Sequence, residues 1–161
     1  MLSMTMQTPL DGLGLRQLYA CYGNLPAVPA LHRRGSWRAV FIGPWWLRLS
    51  AAPAIALSGM PGWYGKRFAT PESAVNLLRS DQGLREVLSM RCDQQASWHD
   101  GRPCAALAYA SRARWPWRRV RDELRQLDDE HWLCMTYVDL PLLRRLGCPF
   151  LLVRDAVGQA G

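Results

Sequence analysis

Lysine is nearly missing from this chain: of its 20 basic residues nineteen are arginine, and the exception is Lys66. Other absences narrow the possibilities further. No apolar run approaches the ~20 residues that carry a helix across a bilayer. Met1 to Leu10 has neither a basic start nor a continuous apolar stretch, so no secretory signal is expected and the chain is assigned to the cytoplasm. The five cysteines (Cys21, Cys92, Cys104, Cys134 and Cys148) form no C-x-x-C pair and no cluster with histidine. That scatter argues against a disulfide framework or structural zinc and suits small core residues. There is no Walker loop, Rossmann glycine pattern, Gly-x-Ser-x-Gly elbow or His-Glu-x-x-His helix, so several common enzyme classes are set aside and no cofactor is expected.

What is present describes a globular domain. At 161 residues, 49% hydrophobic and 20% charged, the chain suits one core that buries roughly 70% of the unfolded surface. A single β-rich domain is expected over 13–155, between a loose leader at 1–12 and a fraying tail at 156–161. The net charge of +7 admits an acidic partner: nucleic acid, an anionic metabolite or a carboxylate ligand.

Helical spacing of Leu15, Leu18, Tyr19 and Tyr22 predicts a short helix from about Leu13 to Tyr22. A first strand follows at 34–42. Gly43-Pro44 breaks it, Trp45 to Leu49 reads as extended, and the proline-interrupted stretch Ala51 to Pro61 reads as a loop or lid. Thr70-Pro71-Glu72 has the form of a helix start, predicting a helix to about Ser80. Leu88, Met90 and Cys92 then alternate with polar residues, in a strand that turns at His99-Asp100-Gly101-Arg102 and returns through Ala105, Leu107 and Tyr109. Further strands are expected at 117–127, 131–139 and 149–154, with one helical turn at 141–146. Strands joined by short turns predict a mainly β (α+β) fold, an antiparallel barrel or half-barrel with few helices, whose centre stays hollow where inward side chains fail to fill it. The eight tryptophans are candidates to line that hollow.

Two short segments resemble a known family. Gly35-Ser36-Trp37-Arg38, preceded by Leu25-Pro26-Ala27-Val28, is similar to the opening motif of bacterial proteins that carry the GXWXG domain. Gly62-Trp63-Tyr64-Gly65-Lys66-Arg67-Phe68 resembles that domain's second signature and is the most specific part of the match. The C-terminal half, through Ala106 to Tyr109, Asp122 to Arg125, Leu127 to Asp129 and Pro149 to Arg154, is similar to the companion domain that usually follows. Together the resemblance runs from about Leu18 to Arg154. Ala39 replaces the second glycine of the name motif, Cys134 stands where glycine is common, and the stretch 43–60 lacks a polar, histidine-containing turn. The resemblance implies a lipocalin-like architecture and brings no activity with it.

Asp122 and Lys66 are the leading chemical candidates. On a strand, Asp122 shares the apolar face with Val120 and Leu124, while Arg119, Arg121, Glu123 and Arg125 share the other. A carboxylate facing a barrel interior resists ionisation unless a cation meets it, and such an acid can exchange protons with a ligand. The plainer alternative is an aspartate paired with an arginine to hold neighbouring strands. Lys66, among Trp63, Tyr64 and Phe68, is suited to binding an anion or, if it loses its proton, to acting as an amine nucleophile. Its plainer alternative is a stem packed on an indole with a wet head. His32, His99 and His131 stand apart in sequence and give no metal-ligand spacing, although His131 beside Trp132 can face a cavity. The run Arg112 to Arg119 interleaves arginine with tryptophan as single-strand nucleic-acid binders do, and equally suits the solvated rim of a barrel.

The function expected is binding of a hydrophobic or aromatic small molecule with an acidic group, in a cavity lined by Trp37, Trp63, Tyr64, Lys66, Arg67, Tyr109, Asp122 and His131. A cofactor-free isomerase, cyclase or lyase using Asp122 and Lys66 is the first alternative. Nucleic-acid binding through the Arg/Trp segment is the second.

Overall fold

The computed structural model describes residues 10–156. Eight antiparallel strands, each hydrogen-bonded to its sequence neighbour, close on themselves because β1 (Gly35–Phe41) pairs with β8 (Cys148–Arg154). Between these lie β2 (Trp63–Thr70), β3 (Ser73–Ser80), β4 (Gly83–Ala96), β5 (Pro103–Tyr109), β6 (Val120–Gln126) and β7 (His131–Val138). The expected mainly β fold is therefore a fully closed barrel, with no free sheet edge to protect.

Helix α1 (Leu15–Gly23) lies against the outside of the barrel. Its buried Leu18 and Tyr22 pack with Leu133, Tyr137 and Leu151, the outward side chains of β7 and β8. The same contact has a polar half. Glu123, on the outer face of β6, accepts hydrogen bonds from the Tyr22 hydroxyl at 3.0 Å and the Trp98 backbone N–H at 2.7 Å. Buried Arg125 donates to the Tyr22 carbonyl at 3.0 Å and to both oxygens of Asp100 at 2.7 and 2.8 Å. The alternation Asp122/Glu123/Leu124/Arg125 thus separates two buried environments, and the polar face of β6 is covered by helix and hairpin rather than open to water.

Four expectations are corrected. The stretch read as extended and then as a loop is one helix, α2 (Trp45–Leu57), which contains Pro53. Pro44 precedes its first turn, where a missing N–H costs nothing, and Pro53 forgoes the bond to the Leu49 carbonyl and sets its ring against that turn. The helix expected from Thr70 is instead the turn of a hairpin followed by β3, with Ser73 paired across to Thr70. The strand expected from Trp117 begins at Val120, after a 3-10 turn at Trp117–Arg119. The helical turn expected at 141–146 is a 3-10 turn at Leu143–Arg145. The predicted leader and tail lie, apart from residues 10–12 and 156, outside the described residues.

Inside the barrel the two ends differ. Toward the end where β1 begins, Trp37 stacks on Trp132 with ring centres 3.6 Å apart, and Phe68 meets Trp132 edge-on at 5.6 Å. Leu107, Leu124 and Leu152 complete this plug, all fully buried. Toward the other end, where β1 stops and α2 begins, the interior is hollow.

Candidate ligand cavity

The hollow has a volume of about 290 Å³, near the lower limit of the ~300–1,000 Å³ usual for small-molecule sites. Its walls come from β-strand side chains that include Phe41, Trp63, Val120, Val138 and Phe150, and its cover from α2 through Leu47, Ala51, Ala54 and Ile55. Trp117 closes one flank and donates its indole N–H to the Ser58 carbonyl at 2.9 Å, fixing the β5–β6 connection to the end of α2.

The polar groups gather at the inner end of this apolar space. Lys66 Nζ sits 2.8 Å from Asp122 Oδ2 and 3.0 Å from Asn76 Oδ1, with the Met90 sulfur at 3.5 Å. Thr136 donates to Asp122 Oδ1 at 2.7 Å. Asn76 donates to the Tyr109 hydroxyl oxygen at 2.8 Å and accepts from the Trp63 indole at 3.1 Å. Alternation places Lys66, Asn76, Asp122 and Thr136 inward from β2, β3, β6 and β7, so four strands converge on one cluster.

Burial, the largest single influence, pushes the Lys66 pKa down. The charge and hydrogen bond of Asp122, with smaller contributions from Tyr109 and Cys134, together outweigh it, and the lysine titrates above its ordinary value. Lys66 is accordingly an ammonium and not a free amine, and the pair has no net charge. Burial also pushes the Tyr109 phenol up, against the opposing effect of Lys66, so Tyr109 keeps its proton. Its oxygen accepts from Asn76, which leaves the O–H to be donated. Two acceptor oxygens on Asp122 and one donor on Tyr109 are therefore what this cluster presents to a guest.

Of the residues singled out in the sequence, Trp63, Lys66, Tyr109 and Asp122 line the cavity together. Trp37 belongs to the plug below it. Tyr64 points outward and donates to Asp155 at 2.6 Å. Arg67 also faces out, bonded to Ser36 at 2.9 Å and paired with Glu86 at 2.7 Å. His131 meets Asp128 at 2.8 Å at the turn before β7, at the far end from the cavity. Sequence reasoning missed Asn76, Thr136 and the helical form of α2, whose second half it read as a loop or lid. Asn76 was detectable as the one polar member of the alternating set Ala74, Asn76, Leu78, and Thr136 likewise as the hydroxyl within Trp132, Cys134, Thr136, Val138.

No family model and no curated protein matches the chain. Its structure is similar to the crystal structure of a protein from Thermomonospora curvata, with a TM-score of 0.68 and 24% sequence identity over 90% of each chain. That likeness supports the barrel fold.

Proposed function

We propose that the barrel binds a hydrophobic or aromatic small molecule, its apolar body beneath α2 and its polar end against Asp122, Tyr109 and Thr136. The observation that carries this reading is an apolar chamber ending in a buried ion pair whose carboxylate keeps acceptor sites open toward the space. Asp122 neutralises Lys66, so the polar end that fits is a hydroxyl, a carbonyl or a protonated acid. A carboxylate would have to displace Asp122 from the lysine. The acidic group expected from sequence is thus accommodated in its neutral form. The resemblance of Gly35 to Arg38 and Gly62 to Phe68 to GXWXG-domain proteins is in keeping with such a barrel, and we assign the chain to that family as a divergent member. The five free cysteines suit a reducing compartment, the cytoplasm.

Trp63 and Trp117 report on occupancy through their emission. Matched alcohols and carboxylates of equal chain length should quench it, the alcohols at lower concentration above pH 7. Val138→Phe narrows the chamber from its wall and should weaken binding about tenfold or more. A broad apolar panel that leaves emission unchanged, or equal affinities in Val138→Phe, contradicts the reading.

One observation favours a second reading: the Asp122 carboxylate faces a largely apolar chamber with a phenol and an ammonium beside it. Such a site can move a proton on a bound substrate without a cofactor, as an isomerase, cyclase or lyase does. Asp122→Asn separates the two. A binder keeps affinity within about tenfold. The enzyme loses turnover of any compound that wild-type protein converts, read by mass spectrometry of the incubated ligand.

A further inference from the structure

We propose that the cavity end of the barrel docks on the surface of a bilayer containing anionic lipid, with α2 lying in the headgroup layer. The proposal rests on the binding reading above for its purpose, since a ligand held beneath α2 would then be exchanged with the membrane.

In an up-and-down barrel the connections alternate between ends. The segments 42–62, 81–82, 110–119 and 139–147 therefore share the cavity end. Of the ten exposed large apolar side chains among the described residues, nine lie on these segments or just beside them, and Leu31 alone lies elsewhere. On α2, one face covers the chamber while Trp45, Leu49 and Leu57 project outward at 68, 70 and 91% exposure. Trp115 at 63% and Leu142 at 82% stand on the two neighbouring connections. A surface cleft joins Leu57 to Arg114 and Trp115, which makes the patch continuous from α2 to the β5–β6 connection. A patch of this kind marks a binding surface.

Charge selects the occupant. The connections at this end carry seven arginines and two aspartates. Those at the opposite end, 71–72, 97–102 and 127–130, carry five carboxylates and one arginine. Among the described residues Arg48, Arg112, Arg114, Arg118, Arg119 and Arg145 take part in no ion pair. Tryptophan and leucine flanked by arginine are the composition of an interfacial segment: the apolar tips enter the acyl boundary and the guanidinium groups meet phosphates. A second copy fits poorly, because a two-fold contact would set the arginines against themselves. Nucleic acid would satisfy the arginines but gives Leu49, Leu57 and Leu142 nothing apolar to enter.

The test is flotation of the full chain with phosphatidylcholine vesicles and with vesicles of phosphatidylcholine and phosphatidylglycerol in equal parts. Wild-type protein should float with the mixed vesicles and about tenfold less with the neutral ones. Leu49→Ser/Leu57→Ser, and separately Arg114→Glu/Arg145→Glu, should lose about tenfold or more of that binding. Both should keep wild-type melting temperatures and wild-type quenching by soluble alcohols. Val138→Phe should bind vesicles as wild type does, so failure of the cavity reading and failure of docking show up separately. Wild-type protein that stays unbound, binds both vesicle types equally or is unaffected by either double substitution overturns the proposal. So does a dimer dissolved by Leu49→Ser/Leu57→Ser, or a single-stranded RNA oligonucleotide that outcompetes vesicles.

Discussion

At Lys66, charge and burial are set against each other. An ion pair of this depth contributes little net stability, because desolvating both partners costs about as much as their attraction returns. Removing one partner is another matter. Lys66→Met leaves Asp122 buried without its cation and should lower the unfolding free energy by about 3–5 kcal/mol in urea denaturation. Lys66→Met/Asp122→Leu replaces both with apolar groups and should recover most of that loss while binding of polar-ended ligands disappears. A double variant as unstable as the single one would show that the pair is structural. The lysine's raised value also fixes a pH window. Its contribution is complete below the ordinary lysine pKa of ~10.4 and fades as pH rises through the higher folded value. Neutral and mildly basic buffers should leave the site intact.

Individual elements show how local signals misled or succeeded. Gly65 belongs to β2, and a Cβ there would run into the Trp37 carbonyl oxygen on β1, a backbone atom that cannot give way alone. Gly65→Ala should therefore force β1 and β2 apart and destabilise by about 3 kcal/mol or more, read as a loss of melting temperature. At the other end of the barrel, Asp100 is held below the usual carboxylate range, at about 2, chiefly by its hydrogen bonds from Arg125. A depressed acid stabilises above its unfolded pKa of ~3.9 and loses that effect as pH falls toward the folded value. Wild type and Asp100→Asn should thus differ in melting temperature at pH 6 and converge by about pH 2. Curves that stay parallel across this range would contradict the assignment.

The strands β4 to β8 were legible because their alternation is clean and Asp100-Gly101 marks a turn. β3 was not. Thr70-Pro71-Glu72 has the form of a helix cap, and inward Asn76 breaks the apolar alternation that would have revealed a strand. The residue that obscured the strand is part of the site, as expected where function overrides local pattern. α2 was hidden for a different reason. Pro53 reads as a helix breaker, and the apolar exposed face removes the amphipathic period that marks ordinary surface helices. Both misreadings fall on segments that build the chamber.

Over the whole molecule the barrel is divided by contents and by charge. One end is plugged by stacked tryptophans and carries the carboxylates; the other is hollow, covered by an apolar helix and ringed by arginine. The sequence disclosed the antiparallel, mainly β sheet, the inward Asp122 and the aromatic setting of Lys66, while closure of the barrel came from the β1–β8 pairing. It did not disclose that these two residues meet, since they lie on strands separated in the chain and joined only by curvature. Nor did it divide eight tryptophans into two in the plug, two around the chamber and others outside.

On the proposed function, this chamber holds a guest. Native mass spectrometry of protein purified from its own host measures that directly. A discrete mass above that of the polypeptide is expected, released on denaturation as a small apolar compound and missing from Val138→Phe. The bare polypeptide mass in both proteins, unchanged after incubation with apolar alcohols, would contradict it.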